Sequence, residues 1–168
     1  MPSFRAPCLL LPLLCSLASC GGYTAPNLVV EDAAVTEQTA EGVVVTFRVR
    51  AENRNAEPLP MRTVRYSFSM GGSNSFTGTR SAEATIPRFG TQTITLPVAL
   101  KLGEGGDLAQ IPDQPVAYTL AGNVEYELPG SIAEVLFDTG IRVPTAAFAE
   151  RGELDFAAPA APAPAARP

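Results

Sequence analysis

The sequence predicts an all-β protein, built as an antiparallel β-sandwich, from two observations. First, apolar and polar residues alternate in several short segments, with the period of two expected of strands that bury one face. Second, glycine, proline and asparagine separate these segments, and no segment sustains the 3.6-residue period of a helix. About seven such strands in one domain are typical of immunoglobulin-like or fibronectin type III-like sandwiches.

The segment from Gly42 to Glu52 shows the cleanest alternation. Its predicted buried face consists of Val43, Val45, Phe47, Val49 and Ala51. The same pattern predicts strands over residues 64–70, 93–100 and 116–128, with shorter candidates over 27–35, 81–86 and 135–143. Turn residues separate them at 53–55, 71–74 and 87–90. The segment from 103 to 115 is long enough for one short helix, which we expect around Asp107 to Ile111.

The beginning of the chain has the parts of a bacterial export signal. One positive charge, Arg5, precedes an apolar run over residues 8–17. This run is shorter than the roughly 20 apolar residues of a membrane-spanning helix. The motif Leu17-Ala18-Ser19-Cys20 has the spacing of a lipobox, in which the cysteine thiol receives a diacylglyceryl group before the signal is cleaved.

We therefore expect residues 1–19 to be a lipoprotein signal peptide and residues 20–26 a short tether, with lipid attached at Cys20. Palmitate or similar acyl chains would anchor the protein in a membrane of the cell envelope, because each buried methylene contributes about 0.8 kcal/mol. Gly21 follows the cysteine, where an aspartate would be the usual signal for retention in the inner membrane. In a Gram-negative source, this favours the periplasmic face of the outer membrane.

The composition of the mature chain argues against enzymatic chemistry. Cys8 and Cys15 would leave with the signal peptide, so Cys20 is the remaining cysteine and its sulfur is used by the lipid. The chain has no histidine and a single lysine, Lys101, which removes the commonest general base and the commonest metal ligand. The formal charge of −5 becomes −6 once Arg5 is cleaved away, and this acidity opposes binding to nucleic acid. We expect no enzyme activity, cofactor, metal site or nucleic-acid partner.

Two carboxylates close together can perform glycosyl transfer or bind calcium. The candidates are Glu125 and Glu127 on the outward face of one predicted strand, Glu31-Asp32, and Asp138. No D-x-D-x-D-G loop accompanies them. We interpret them as solvated surface acids.

Three arginines occupy outward positions of strands that could be neighbours: Arg48, Arg50 and Arg65. They could form an anion-binding stripe, or they could pair across strands with the abundant glutamates. We favour pairing, because opposite charges on one face of a sheet stabilise each other.

The folded domain is predicted to span residues 27–150, followed by a tail over residues 151–168. From Ala157 to Pro168 the tail is almost entirely alanine and proline, a composition that cannot bury a core and favours extended conformations. We expect the tail to be disordered.

Several short motifs follow one another between Asn27 and Leu128. After the central strand come Asn53-Arg54-Asn55, Pro58-Leu59-Pro60, Val64-Arg65-Tyr66-Ser67-Phe68, Gly71-Gly72, Phe76-Thr77-Gly78, Ile86-Pro87, Gly90 and Pro97-Val98. In this order and spacing the chain resembles the late embryogenesis abundant (LEA) type 2 family, whose domain is also called WHy, for water stress and hypersensitive response. Asn53 and Asn55 match the asparagines of the family's N-P-N-like turn, and Arg54 stands where the family usually has proline.

The resemblance implies a folded β-sandwich associated with protection under dehydration and related stresses, without a cofactor or active site. Asparagine side chains bond to nearby backbone and tolerate left-handed conformations, so we expect a structural role for Asn53 and Asn55. Two functions stay open. The first is a membrane-anchored protein that protects against desiccation or envelope stress. The second is an envelope interaction or lipid-binding module that scaffolds a complex with a partner protein or lipid.

Overall fold

The computed structural model describes residues 22–71 and 73–157. The predicted signal peptide and Cys20 lie outside these residues, as does the predicted tail from residue 158 onward. No helix in the described part of the chain is long and apolar enough to cross a membrane.

The described residues form seven strands and one helix. In chain order these are β1 (Asn27–Gln38), β2 (Gly42–Glu52), β3 (Leu59–Met70), β4 (Ser73–Ile86), β5 (Thr91–Lys101), β6 (Val116–Tyr126), α1 (Ser131–Asp138) and β7 (Thr145–Leu154). One sheet has the strand order β1-β2-β5 and the other has the order β4-β3-β6-β7. All neighbouring strands are antiparallel. The predicted antiparallel β-sandwich is confirmed.

The core lies between the two sheets and is built from the inward positions of the alternating strands. The predicted buried face of β2 is confirmed, since each of its five side chains is at most 1% exposed. Phe47 of β2 meets Phe68 of β3 and Tyr118 of β6, with ring centroids 5.6 and 5.4 Å away. These aromatic rings join the two sheets.

The chain crosses between the sheets twice at one end of the sandwich. Residues 53–58 lead from β2 to β3, and the turn at 87–90 leads from β4 back to β5. β1 begins at this end and β6 finishes there, because Asn27 is paired with Glu52 and Met61 with Tyr126. We call it the N-terminal end, since residues 22–26 lead into β1 there. The opposite end holds the loops at 39–41 and 102–115 and the residues that follow β7.

One predicted strand is wrong, because residues 135–143 form the last part of α1 and the loop after it. Ile132 and Leu136 recur at a spacing of four, which places them on the same side of a helix. The helix stops before Gly140, whose φ of 71° lies in the left-handed region. The Gly140 N–H donates to the carbonyl of Phe137 at 2.9 Å.

The predicted helix around Asp107 to Ile111 is also wrong. This segment consists of turns, with one bridge between Leu102 and Leu108. The Asp107 carboxylate accepts a hydrogen bond from the backbone N–H of Lys101 at 2.9 Å. This contact and the hydrogen bond from the Leu108 N–H to the Lys101 carbonyl at 3.0 Å hold the loop against the end of β5.

The predicted domain boundary at residue 150 falls inside the last strand. β7 continues to Leu154, and Phe156 beyond it is only 3% exposed, so the predicted tail starts too early. The strand was missed because alanine and glycine occupy much of it, and such small side chains give a weak alternation. Its pairing with β6 buries Ala146, Phe148 and Leu154 against the core.

We expect Phe47→Ala to lower the free energy of unfolding by about 3–5 kcal/mol, because removing a buried ring leaves a cavity between the sheets. Denaturant titration measures this loss. Phe89→Ala is the matched control, since it removes the same atoms from a side chain that is 71% exposed, and it should change stability by less than about 1 kcal/mol. Equal losses in the two variants would contradict this assignment of the core.

Candidate functional site

Asn53 is the first residue after β2, and its side chain is 1% exposed. Its side-chain amide donates to three backbone carbonyls, those of Glu57 at 2.7 Å, Pro87 at 3.2 Å and Ile86 at 3.4 Å. Its backbone N–H donates to the carbonyl of Gly90 at 2.9 Å. One residue therefore connects the β2–β3 crossover to the β4–β5 turn.

Asn55 connects the same crossover to the residues before β1. Its Nδ2 donates to the Thr24 carbonyl at 2.8 Å, and the Thr24 N–H donates back to its Oδ1 at 2.9 Å. The backbone N–H and Nδ2 of Asn55 donate to Asn53 Oδ1 at 2.9 and 2.8 Å. The Asn55 carbonyl accepts a hydrogen bond from the N–H of Phe89 at 3.1 Å. We call Asn53 and Asn55 together the asparagine clip.

The asparagine clip is engaged by the protein itself. Both polar atoms of the Asn53 side chain have protein partners, so it presents no free group to a ligand. An amide suits this position because it carries donors and an acceptor on one small group, whereas a carboxylate would face three carbonyl oxygens. Arg54 points elsewhere, with its Nε donating to the Glu52 carboxylate at 3.0 Å. The geometry supports a structural role for both asparagines.

The arginines do not form one stripe. Arg48 and Arg50 lie on β2 in the three-stranded sheet, whereas Arg65 lies on β3 in the four-stranded sheet. The pairing interpretation is confirmed for two of them: Arg50 Nε lies 2.6 Å from Glu31 Oε1, and Arg65 binds the Glu125 carboxylate. Arg48 is paired in register with Asp32 of β1, which itself follows Glu31 along the strand.

Several candidate acids are held by arginines of the protein. Glu125 is not the solvated surface acid that the sequence predicts, because its side chain is 15% exposed and is paired with Arg65. The hydrogen bond from Arg65 lowers the pKa of Glu125 below its ordinary value. The pair therefore stabilises the fold above the unfolded-state pKa of Glu125, and the contribution is lost as the pH falls through the lowered folded-state pKa.

Glu127 is not on an outward strand face as predicted: it follows β6, is 8% exposed and accepts a hydrogen bond from Arg62 Nε at 2.9 Å. Asp138 lies at the exposed end of α1.

A metal site or a ligand groove would need other polar groups. In residues 22–71 and 73–157, no three histidine, cysteine, aspartate or glutamate side chains are arranged to hold a metal ion. An open groove of about 530 Å³ lies between β4 and β5. Two of its polar groups already bond to backbone: Tyr66 Oη donates to the Pro97 carbonyl at 2.6 Å, and Arg80 donates to that of Thr95 at 2.7 Å. Burial raises the pKa of the Tyr66 phenol, which keeps it a neutral donor.

Sequence reasoning missed a group of exposed apolar residues at the N-terminal end. The exposed fractions are 71% for Phe89, 76% for Ile132, 60% for Val135 and 74% for Ile141. The predicted strand over 135–143 would have buried alternate side chains, so it concealed this group. The four-residue spacing within α1 was the signal that could have revealed it.

We expect Asn53→Ala to lower the free energy of unfolding by about 1–3 kcal/mol, because it removes the buried amide that donates to carbonyls of both the crossover and the β4–β5 turn. Asn53→Asp should cost more, since it places a carboxylate against those carbonyls. Thermal and denaturant melts measure both losses. Asn27→Ala is the control, because Asn27 is exposed at the start of β1. Melts of Asn53→Ala that match the control would show that the amide does not stabilise the fold.

Comparison with known proteins assigns this chain and its fold to a family. The sequence profile of the late embryogenesis abundant protein family matches residues 48–138, more than half of the chain. No curated protein gives a significant match. The solution structure of AT1g01470 from Arabidopsis thaliana superposes with a TM-score of 0.60 at 16% identity, covering 80% of this chain and 86% of that one. The solution structure of At2g46140.1, provisionally described as an LEA protein, superposes with a TM-score of 0.58 at 19% identity. The match covers 77% of this chain and 70% of that one. The chain belongs to the late embryogenesis abundant type 2 family.

Proposed function

We propose that this LEA type 2 protein is a lipid-anchored, non-enzymatic protein of the cell envelope that protects the cell during desiccation or envelope stress. The observation that carries the proposal is the short distance along the chain between the lipobox cysteine, Cys20, and the first residue held by the fold, Thr24. The family membership supports a stress-related role.

The geometry of the N-terminal segment supports anchoring close to the membrane. Asn55 holds the backbone of Thr24 through two hydrogen bonds, so the folded unit begins before β1. Four residues from Cys20 to Thr24 span at most about 14 Å when fully extended. A lipid on Cys20 would therefore keep the N-terminal end of the sandwich next to the bilayer.

The side chains of the domain support action by surface presentation. The arginine and glutamate side chains that could have formed an acid–base site are paired with each other across strands. The chain has no histidine, and its one lysine, Lys101, lies at the end of β5 at the opposite end of the sandwich. We expect the protective effect of such a protein to increase with its amount and to depend on its position at the membrane.

The lipid anchor is tested by metabolic labelling. The wild-type protein should incorporate labelled palmitate and partition into detergent, and Cys20→Ala should lose both properties because no thiol is left at the attachment site. Ser19→Ala, which keeps the cysteine and a small residue before it, is the control and should behave as wild type. Membrane association that survives in Cys20→Ala would remove the anchor from the proposal.

The protective role is tested by complementation. We expect a strain without the protein to survive drying or osmotic shock less well, and a lipidated wild-type copy to restore survival better than the Cys20→Ala copy expressed at the same level. The physical reason is that the anchor concentrates the domain at the membrane. Equal restoration by the two copies would show that the position at the membrane does not matter.

A further substitution separates surface presentation from a specific site. Glu125→Gln removes the charge that pairs with Arg65. The Arg65 side chain is half-exposed and that of Glu125 is 15% exposed, so we expect a loss of stability of about 1 kcal/mol, near the upper value for surface pairs. We expect survival under drying to be unchanged in this variant. If it abolished survival with fold and abundance intact, a defined catalytic or binding site would have to replace the protective interpretation.

The second candidate function, an envelope interaction or lipid-binding module that scaffolds a complex, is favoured by one observation. Strands β4 and β5 each lie at one edge of their sheet, and the open groove lies between them. Unpaired edge strands accept an additional strand from a partner. Recovery of one partner in stoichiometric amounts after crosslinking in cells would support this function over the first.

A further inference from the structure

The exposed apolar side chains of the domain are confined to one end. In the described residues, seven large apolar side chains are between 37% and 76% exposed: Tyr23, Val29, Phe89, Ile132, Val135, Ile141 and Val143. Each belongs to the segment before β1, the first three residues of β1, the β4–β5 turn, or the connection between β6 and β7. All of these lie at the N-terminal end. Scattered apolar residues on a surface need no explanation, but such a concentration at one end indicates an interaction surface.

Helix α1 contributes the largest part of this surface. Its apolar residues cover a wide arc, because Ala133, Leu136 and Phe137 lie on the side that is half-buried, and Ile132 and Val135 continue the arc outward. No residue of α1 is fully buried. The helix therefore has more apolar surface than the sandwich covers, and the part left over faces away from the protein.

Phe89 adds a second contribution from the other side of the crossover region. Its φ of 47° lies in the left-handed region, which an aromatic residue rarely adopts. The backbone is held there by the hydrogen bond from Phe89 N–H to the Asn55 carbonyl at 3.1 Å. The ring is therefore presented to the outside by a turn that belongs to the asparagine clip. Tyr23, next to the clipped Thr24, lies at the same end.

Exposed acidic residues are more numerous at the opposite end than at the N-terminal end. The loops and strand ends at the opposite end carry Glu37, Glu41, Glu104, Asp107, Asp113, Glu153 and Asp155. At the N-terminal end, Glu52 and Glu127 are paired with Arg54 and Arg62, and two further arginines, Arg88 and Arg142, belong to the connections that carry the apolar residues. Three exposed acids also lie there: Glu57 in the crossover, and Glu134 and Asp138 on α1. Long arginine side chains next to an apolar surface can reach lipid phosphates while their stems stay in the apolar layer. The more acidic opposite end is expected to face away from the bilayer, because its carboxylates would lose hydration there.

We infer that the N-terminal end is a membrane-docking surface, in which Phe89, Ile132, Val135 and Ile141 insert into the headgroup and acyl boundary of the bilayer that holds the lipid anchor. The inference rests on the proposed anchoring at Cys20, because only three residues separate Cys20 from Thr24, and this short connection brings the N-terminal end of the domain to the membrane. The docking is apolar in origin, so it applies to zwitterionic bilayers and does not need anionic lipid.

The test uses the full lipidated protein in phosphatidylcholine vesicles, with an environment-sensitive fluorophore on one introduced cysteine. Cys20 is the only cysteine left after cleavage and is blocked by lipid, so each introduced cysteine reports alone. We expect the probe in Ile132→Cys to shift to shorter wavelength and to be quenched by lipid-borne nitroxides. The probe in Glu104→Cys, at the opposite end, should show neither effect. Equal responses at the two ends would overturn the inference.

A second pair of variants tests whether the apolar side chains cause the docking. With the probe in Phe89→Cys, Ile132→Asp combined with Ile141→Asp should reduce nitroxide quenching by about tenfold, because charges are strongly disfavoured at that depth. The matched control, Ala109→Asp combined with Gln110→Asp, adds the same charges at the opposite end and should change nothing. Circular dichroism melts establish that both double variants keep the fold. Unchanged quenching in the first pair would overturn the inference.

The remaining outcomes are distinguishable. Protein that lacks palmitate and does not float with the vesicles would refute the anchor, whereas protein that floats without quenching would refute only the docking. Quenching that is lost in about 1 M salt, where the Debye length is about 3 Å, would show electrostatic adsorption in place of apolar insertion. A wavelength shift that disappears on dilution into excess lipid would show association between copies of the protein. Either result would overturn the inference.

Discussion

The buried amide of Asn53 is the interaction on which the arrangement of the sandwich most depends. A sandwich of two sheets has to pass the chain between its layers, and each crossover leaves backbone groups that neither sheet can pair. Here the β2–β3 crossover and the β4–β5 turn meet at one side chain, whose amide bonds carbonyls from both. Because this side chain is 1% exposed, water cannot take over those hydrogen bonds. The positions of the two sheets are linked through it.

The same group of hydrogen bonds fixes the segment before β1 and the β4–β5 turn to the folded domain. Asn55 extends the network to Thr24 and to the backbone of Phe89, so the segment before β1 and the exposed turn belong to one unit with the crossover. A segment that could have been a free linker thereby becomes part of the folded domain. The orientation of the sandwich relative to anything attached near residue 20 is restricted as a result.

The polar side chains are used mainly to hold the sandwich together. Glu125 and Glu127 each face an arginine of β3, and Glu31 faces Arg50 of β2, so these carboxylates are satisfied within the protein. The fold itself recurs in two proteins at 16% and 19% identity, which shows that few particular residues are needed to specify it. On the surface, large exposed apolar side chains lie at the N-terminal end, and exposed acids are more numerous at the opposite end.

The sequence by itself determined the sandwich class, the buried face of β2 and the absence of histidine chemistry, because alternation and composition are local properties of the chain. It also identified the asparagine turn by its motif. It did not determine that Glu127 is buried against Arg62, that Arg65 lies in a different sheet from Arg50, or that residues 135–138 are helical. Each of these depends on contacts between residues far apart in the chain. The tertiary structure decided them, because strand pairing selects which faces meet, and a short apolar run becomes a helix or a strand according to the neighbours available to cover it.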